Sequence, residues 1–168
     1  MKFTAVADVF LPEEYYKNAL AKYPGYECLG IPYFGVPDRT VMREIVHGIE
    51  KKGSEACDPP AELLDLIEET EVLMVHLCPV SRKLLEKAKN LKLILVNRGG
   101  TENVNVEAAT ELGIPVLSNP AHNANAVAEF TIGVTIAEMR NIARGHGALM
   151  QGTWRERFSN SGVIFELV

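Results

Sequence analysis

The amino-acid sequence predicts an α/β fold: a parallel five-stranded sheet with helices on both faces, followed by one long apolar helix. Three observations carry the prediction. Short apolar runs of strand length alternate with amphipathic stretches of helical period. Two of the runs, Val72 to Leu77 and Leu91 to Val96, are almost continuously apolar, as strands covered on both faces are. The stretch from 125 to 150 carries alanine, valine, isoleucine and methionine on more than one face, unlike anything before it.

In chain order, Lys2 to Phe10 reads as a β-rich run. Pro12, Glu13 and Glu14 then open a helix to about Ala21, because proline fits a first turn and acidic side chains favour its dipole. Tyr26 to Ile31 is the second strand. Val41, Met42, Ile45, Val46 and Ile49 recur at helical spacing within Arg39 to Lys51, as do Leu63, Leu64, Leu66 and Ile67 within Pro60 to Glu69. The strand Val72 to Leu77 follows, then a helix from Ser81 to Lys89 ending in basic residues, then the strand Leu91 to Val96. Val106 to Leu112 is a short helix stopped by Gly113, and Ile114 to Leu117 is the last strand. Strands separated by helices at these intervals imply right-handed parallel crossovers, and so a flavodoxin-like sheet over residues 1–120. From Asn125 the apolar helix would run ~39 Å at its usual rise, with Asn123 or Asn125 placed to cap its start. Val127, Phe130, Val134, Ile136, Met139 and Ile142 would each gain roughly 1.5 to 3 kcal/mol from full burial. Such a helix needs partners on several sides.

The 168 residues, 47% of them hydrophobic, can bury a core of ordinary size. A net charge of −5, from 17 basic and 22 acidic residues with no dense basic run, argues against nucleic acid or an anionic membrane as partner. Cys28, Cys57 and Cys78 are odd in number and lack C-x-x-C spacing, so neither a disulfide framework nor a zinc site is expected. No signal-peptide core and no apolar run of about 18 residues is present. The expectation is a soluble, cytoplasmic protein without a metal site.

Asn97-Arg98-Gly99-Gly100 follows the fourth strand. Two successive glycines let backbone N–H groups turn outward onto an anion, a carboxylate being the natural guest; the plainer reading is an ordinary turn. His76-Leu77-Cys78-Pro79 ends the preceding strand at the same sheet edge. His76 invites assignment as a general base, yet a lone histidine at a strand end is more often packed or solvated. Cys78 reads as a small lining residue, since nothing near it in sequence suggests a depressed pKa. Asn125 reads as a helix cap and Glu129 as an acidic first-turn residue. Gly145-His146-Gly147 lacks the third glycine of a dinucleotide fingerprint, because Met150 stands there. Asp8 after the first strand invites comparison with a phosphoacceptor receiver, whose central-strand aspartate is replaced here by His76 to Cys78.

The stretch Leu91 to Glu129 resembles the D-isomer-specific 2-hydroxyacid dehydrogenases. The matching residues are Arg98-Gly99-Gly100, Glu102-Asn103-Val104-Asn105, Glu107-Ala108-Ala109, Gly113-Ile114-Pro115-Val116, Asn119-Pro120 and Asn123 through Val127-Ala128-Glu129, continuing weakly to Gly152-Thr153-Trp154. Glu102 and Asn105 stand where aspartate is usual. The resemblance implies hydride transfer between NAD or NADP and a small 2-hydroxy or 2-keto acid. It implies that the Gly99 and Gly100 amides, with Arg98 as a nearby positive charge, and Asn123 face the substrate, with Cys78 lining the same edge by its place at the neighbouring strand end, and that Val127 and Thr131 contact the nicotinamide cofactor. It also implies a homodimer formed through the 125–150 helix. Residues 1–120 would be the substrate-binding domain, and 121–168 the hinge and first helix of an NAD(P)-binding domain. A relative would next show a strand and a G-x-G-x-x-G turn, whereas this sequence reaches Phe165-Glu166-Leu167-Val168. The arginine, glutamate and histidine that perform the family's chemistry are therefore expected outside these residues, and the chain alone is expected to be inactive. A noncatalytic binding or dimerising module derived from such an enzyme and a flavodoxin-like small-molecule sensor are the alternatives.

Overall fold

In a computed structural model of the chain, residues 1–121, 123–154 and 157–160 are described. They fall into two compact units, Met1–His122 and Asn123–Val168. In the first, β1 (Lys2–Ala5), β2 (Glu27–Gly30), β3 (Val72–Val75), β4 (Leu93–Val96) and β5 (Val116–Ser118) form one sheet in the order β2-β1-β3-β4-β5, every pairing parallel. This is the flavodoxin-like order.

Strand alternation sends side chains to opposite faces. Val6, Leu73, Val75, Ile94 and Val96 meet Met42 and Ile49 of α2 (Arg39–Lys52), Leu63 of α3 (Ala61–Leu66), Leu84 and Leu85 of α4 (Arg82–Lys87) and Ala108 and Ala109 of α5 (Val106–Glu111). On the other face, Ala5, Ala7 and Met74 pack against Tyr16 and Leu20 of α1 (Glu13–Leu20). Helices thus cover both faces, as expected.

Polar side chains fix where the helices begin. Asp38 accepts from the Thr40 and Val41 amides at 2.8 and 3.0 Å at the start of α2. Ser81 accepts from Leu84 N at 3.3 Å at the start of α4, and Asn105 from Ala108 N at 2.9 Å at the start of α5. Asn105 therefore supplies the capping oxygen that an aspartate would supply. Gly113, at φ 70°, takes the left-handed conformation that ends α5.

In the second unit, the single helix expected over 125–150 is two helices, α6 (Ala124–Met139) and α7 (Ile142–Met150). Asn141 breaks them with φ 55° and ψ 32°, a left-handed backbone that asparagine tolerates better than most residues. Arg144 holds the corner, donating to both Glu138 carboxylate oxygens at 2.8 Å and to Asn141 Oδ1 at 3.1 Å. Two smaller expectations also change. Asn125 lies inside α6 rather than capping it, and Asn123, the residue before the helix, makes no side-chain cap. With α6 starting at Ala124, Glu129 falls beyond its first turn. His122 of the expected hinge, and the Phe165–Val168 stretch, lie outside the described residues.

Candidate functional site

Because every strand pairing is parallel, the loops after β1, β3, β4 and β5 emerge at one sheet edge. The ladder continues past the strands: Val6 N donates to Met74 O at 2.8 Å, Asn97 N to Val75 O at 2.8 Å and Asn119 N to Arg98 O at 2.9 Å. Those loops are therefore fixed side by side. In sheets of this order, ligands gather at the carboxyl ends of the strands, where the strand order reverses between β1 and β3.

After β4 come Asn97, Arg98, Gly99 and Gly100. Among the described residues, the Gly99 and Gly100 amides have no hydrogen-bond acceptor. A side chain at Gly99 would meet Asn119 O and Pro120 Cα only at ordinary contact distance, 3.8 and 4.0 Å, so this glycine is not demanded by crowding. At Gly100 a Cβ would collide with the carboxylate of Glu102. Arg98 is neutralised rather than free. Its Nη2 lies 2.8 Å from Glu50 Oε1 and 3.4 Å from Glu102 Oε2, while its Nη1 is buried without a partner among the described residues.

At the strand-order reversal itself, Asp8 after β1 meets His76 after β3. Asp8 Oδ1 accepts from the Phe10 and Leu11 amides at 2.8 and 3.0 Å, and Asp8 Oδ2 lies 2.8 Å from His76 Nδ1. Asp8 is 1% exposed and His76 21%. A carboxylate so held orients the imidazole and favours the proton on Nδ1, leaving Nε2 as acceptor in the neutral ring. Beside it, Asn97 Nδ2 donates to Tyr16 Oη at 3.3 Å. Burial of that phenol raises its pKa to about 12.

The loops after β3 and β4 are stitched together. Val80 N donates to Asn103 O at 2.7 Å, and Asn105 N to Val80 O at 2.9 Å. Asn103, completely buried, donates from Nδ2 to Cys78 O at 2.9 Å and to His76 O at 3.4 Å. Cys78 departs from the expectation of a lining side chain: its thiol packs into the main core. Burial, followed by Cys57 and Asp8, pushes that thiol well above the ordinary range. Only the Cys78 main chain belongs to the loop edge.

Asn103, the Asp8–His76 pair and Glu50 carry this edge in ways that local sequence reading did not reveal. Asp8 and His76 each follow a strand, so the β1–β3 neighbourhood of this strand order was the available signal. Asn103 sits inside the recognised run with nothing local to mark it as buried. Glu50 arrives from α2, far away in sequence. In the second unit, Asn123, Val127 and Thr131 occupy the start of α6. Val127 is 52% exposed, and Thr131 Oγ1 donates to Val127 O at 2.7 Å. Gly145-His146-Gly147 lies within α7, where no phosphate-binding turn exists.

Residues 39–159 match the family model described as D-isomer specific 2-hydroxyacid dehydrogenase, catalytic domain. The chain belongs to that family. It is 42% identical over 99 residues to a D-3-phosphoglycerate dehydrogenase of Methanocaldococcus jannaschii, covering 58% of this chain and 19% of that protein. A hydroxypyruvate reductase of Thermotoga maritima is 38% identical over 97 residues, covering 57% of this chain and 32% of that protein. The chain thus spans a third or less of these relatives. Among solved structures, a Pyrococcus horikoshii protein aligns over 100% of this chain and 42% of its own, with a TM-score of 0.63 and 24% identity. An NAD-dependent formate dehydrogenase of Staphylococcus aureus in complex with NAD aligns over 98% and 45%, with a TM-score of 0.57 and 20% identity. Both show the same fold.

Proposed function

We propose that this chain is the substrate-binding part of an NAD(P)-dependent oxidoreductase that moves hydride between nicotinamide and C2 of a small 2-hydroxy or 2-keto acid. The observation that carries the reading is the pair of amides at Gly99 and Gly100 without an acceptor among the described residues, next in sequence to Arg98, whose Nη1 is buried and likewise without a partner among them. Oriented backbone amides at a loop bind a carboxylate without requiring a free cation. Residues 1–120 are the substrate domain in this reading. Residues 121–168 are the hinge and the beginning of the cofactor domain, with Asn123 reaching substrate.

Val127 and Thr131 are the residues here that suit a nicotinamide ring. Thr131 turns its hydroxyl onto its own helix at the Val127 carbonyl, so what α6 offers outward at its start is the Val127 side chain, an apolar surface suited to the face of a ring. The bound dinucleotide supplies the hydride acceptor or donor. The residues of this chain hold and orient the acid, and Asp8–His76 keeps a fixed polar group at the same sheet edge. The chain on its own is inactive in this reading. The exposed apolar residues of α6, Phe130 at 72% and Ile132 at 58% among them, are covered by a second copy in a homodimer. Three free cysteines suit a reducing, cytoplasmic setting. Among the described residues no helix is long and apolar enough to cross a membrane.

Calorimetry of the 168-residue chain with pyruvate and with pyruvamide, beside an NADH-oxidation assay, tests this. Binding of the acid but not the amide, with no turnover, is the expected result. Binding of the uncharged amide equally well, or of neither, contradicts it.

A further inference from the structure

Resting on the substrate-site reading above, we infer that Glu102 is an internal carboxylate competitor for Arg98, seated at the Cα side of Gly100 rather than on the acceptor-free amides, and that the acid of the substrate enters by displacing it. Three features of the loop support this. The carboxylate of Glu102 covers the Gly100 Cα on the side from which a side chain would project. It shares Arg98 Nη2 with Glu50, but at 3.4 Å against 2.8 Å, so it is the looser of the two partners. Arg98 Nη1 remains buried and unpartnered among the described residues, although a guanidinium in a complete carboxylate site uses two parallel N–H groups.

The charge count decides between addition and exchange. Arg98, Glu50 and Glu102 together sum to −1. An incoming carboxylate added to that cluster would face two like charges, whereas an incoming carboxylate that takes the place of Glu102 leaves the count unchanged. The Glu102 side chain is 46% exposed, so it can rotate into water without unpacking the core. Glu50, at the shorter distance, stays and fixes the guanidinium. Glu102 then sets specificity as well: only a ligand that is itself a carboxylate replaces what leaves, and a neutral carbonyl compound does not.

The test is oxalate and pyruvate affinity of the full chain by calorimetry for wild type, Glu102→Gln, Glu102→Ala and the charge control Glu107→Gln, whose side chain lies on α5. Removing a partly exposed competitor of this kind should tighten binding about fivefold in both Glu102 variants, while Glu107→Gln binds as wild type does. Wild-type binding that is unchanged or weakened in Glu102→Gln, or an equal gain in Glu107→Gln, overturns the displacement and leaves the substrate-site reading standing. No binding of either acid by any of the four proteins overturns both.

Discussion

Asn103 is completely buried, and its amide nitrogen donates to the Cys78 and His76 carbonyls. No charge is involved, yet the contact ties the loop after β4 to the loop after β3. Replacing it by alanine leaves two carbonyls without their donor in a dry setting and should cost about 2 to 4 kcal/mol, read as a lower urea midpoint. Asn103→Asp should cost more, because a carboxylate cannot donate and would be buried with its charge. An alanine variant as stable as wild type would show that the clamp is dispensable. Tyr16 offers a pH signature. Its pKa is raised from 10.0 to about 12 by burial, so the folded state holds the phenolic proton more tightly than the unfolded state. The resulting stability is whole below pH 10 and is lost as pH rises toward 12, amounting to about 3 kcal/mol. Tyr16→Phe should flatten that stretch of the stability profile; an unchanged slope would place the alkaline transition elsewhere. At this scale the sequence was partly legible. The position of Gly99 and Gly100 after β4 was readable, because a glycine pair following an apolar run is a local pattern. The burial of the Cys78 thiol, the Asp8–His76 contact and the position of Glu50 depend on which strands and helices become neighbours, and no local pattern encodes that.

The strands and helices of the first unit were legible for a different reason. Apolar runs and helical periodicity are properties of short windows, and polar residues such as Asp38, Ser81 and Asn105 stand where capping oxygens are needed. The last helix differs from the expectation because the apolar residues of its first half lie on more than one face, which leaves no phase from which a break can be read. The break comes from one backbone, Asn141 in the left-handed region, and from Arg144 clamping Glu138 beside it. Asn141→Gly relieves the left-handed backbone but removes an acceptor of Arg144, and should therefore be close to neutral, whereas Asn141→Val loses that acceptor without the relief and should cost roughly 1 to 2 kcal/mol. Thermal unfolding of the three proteins checks this. Equal melting of the valine variant and wild type would argue for a continuous helix over 125–150.

At the scale of the molecule, family membership and fold agree, and together they frame the sheet edge as a site without assigning its ligand. What makes the edge a candidate carboxylate site is two amides without an acceptor among the described residues and the guarded charge of Arg98. Fold alone does not supply that, since many chemistries share this architecture. The most direct measurement is a titration of the ¹⁵N-labelled 168-residue chain with pyruvate, followed through its backbone amide resonances. The account predicts saturable movement of the Gly99 and Gly100 amides together with Arg98 and Thr101, absent with pyruvamide. Saturable movement elsewhere, with Gly99 and Gly100 stationary, would contradict it.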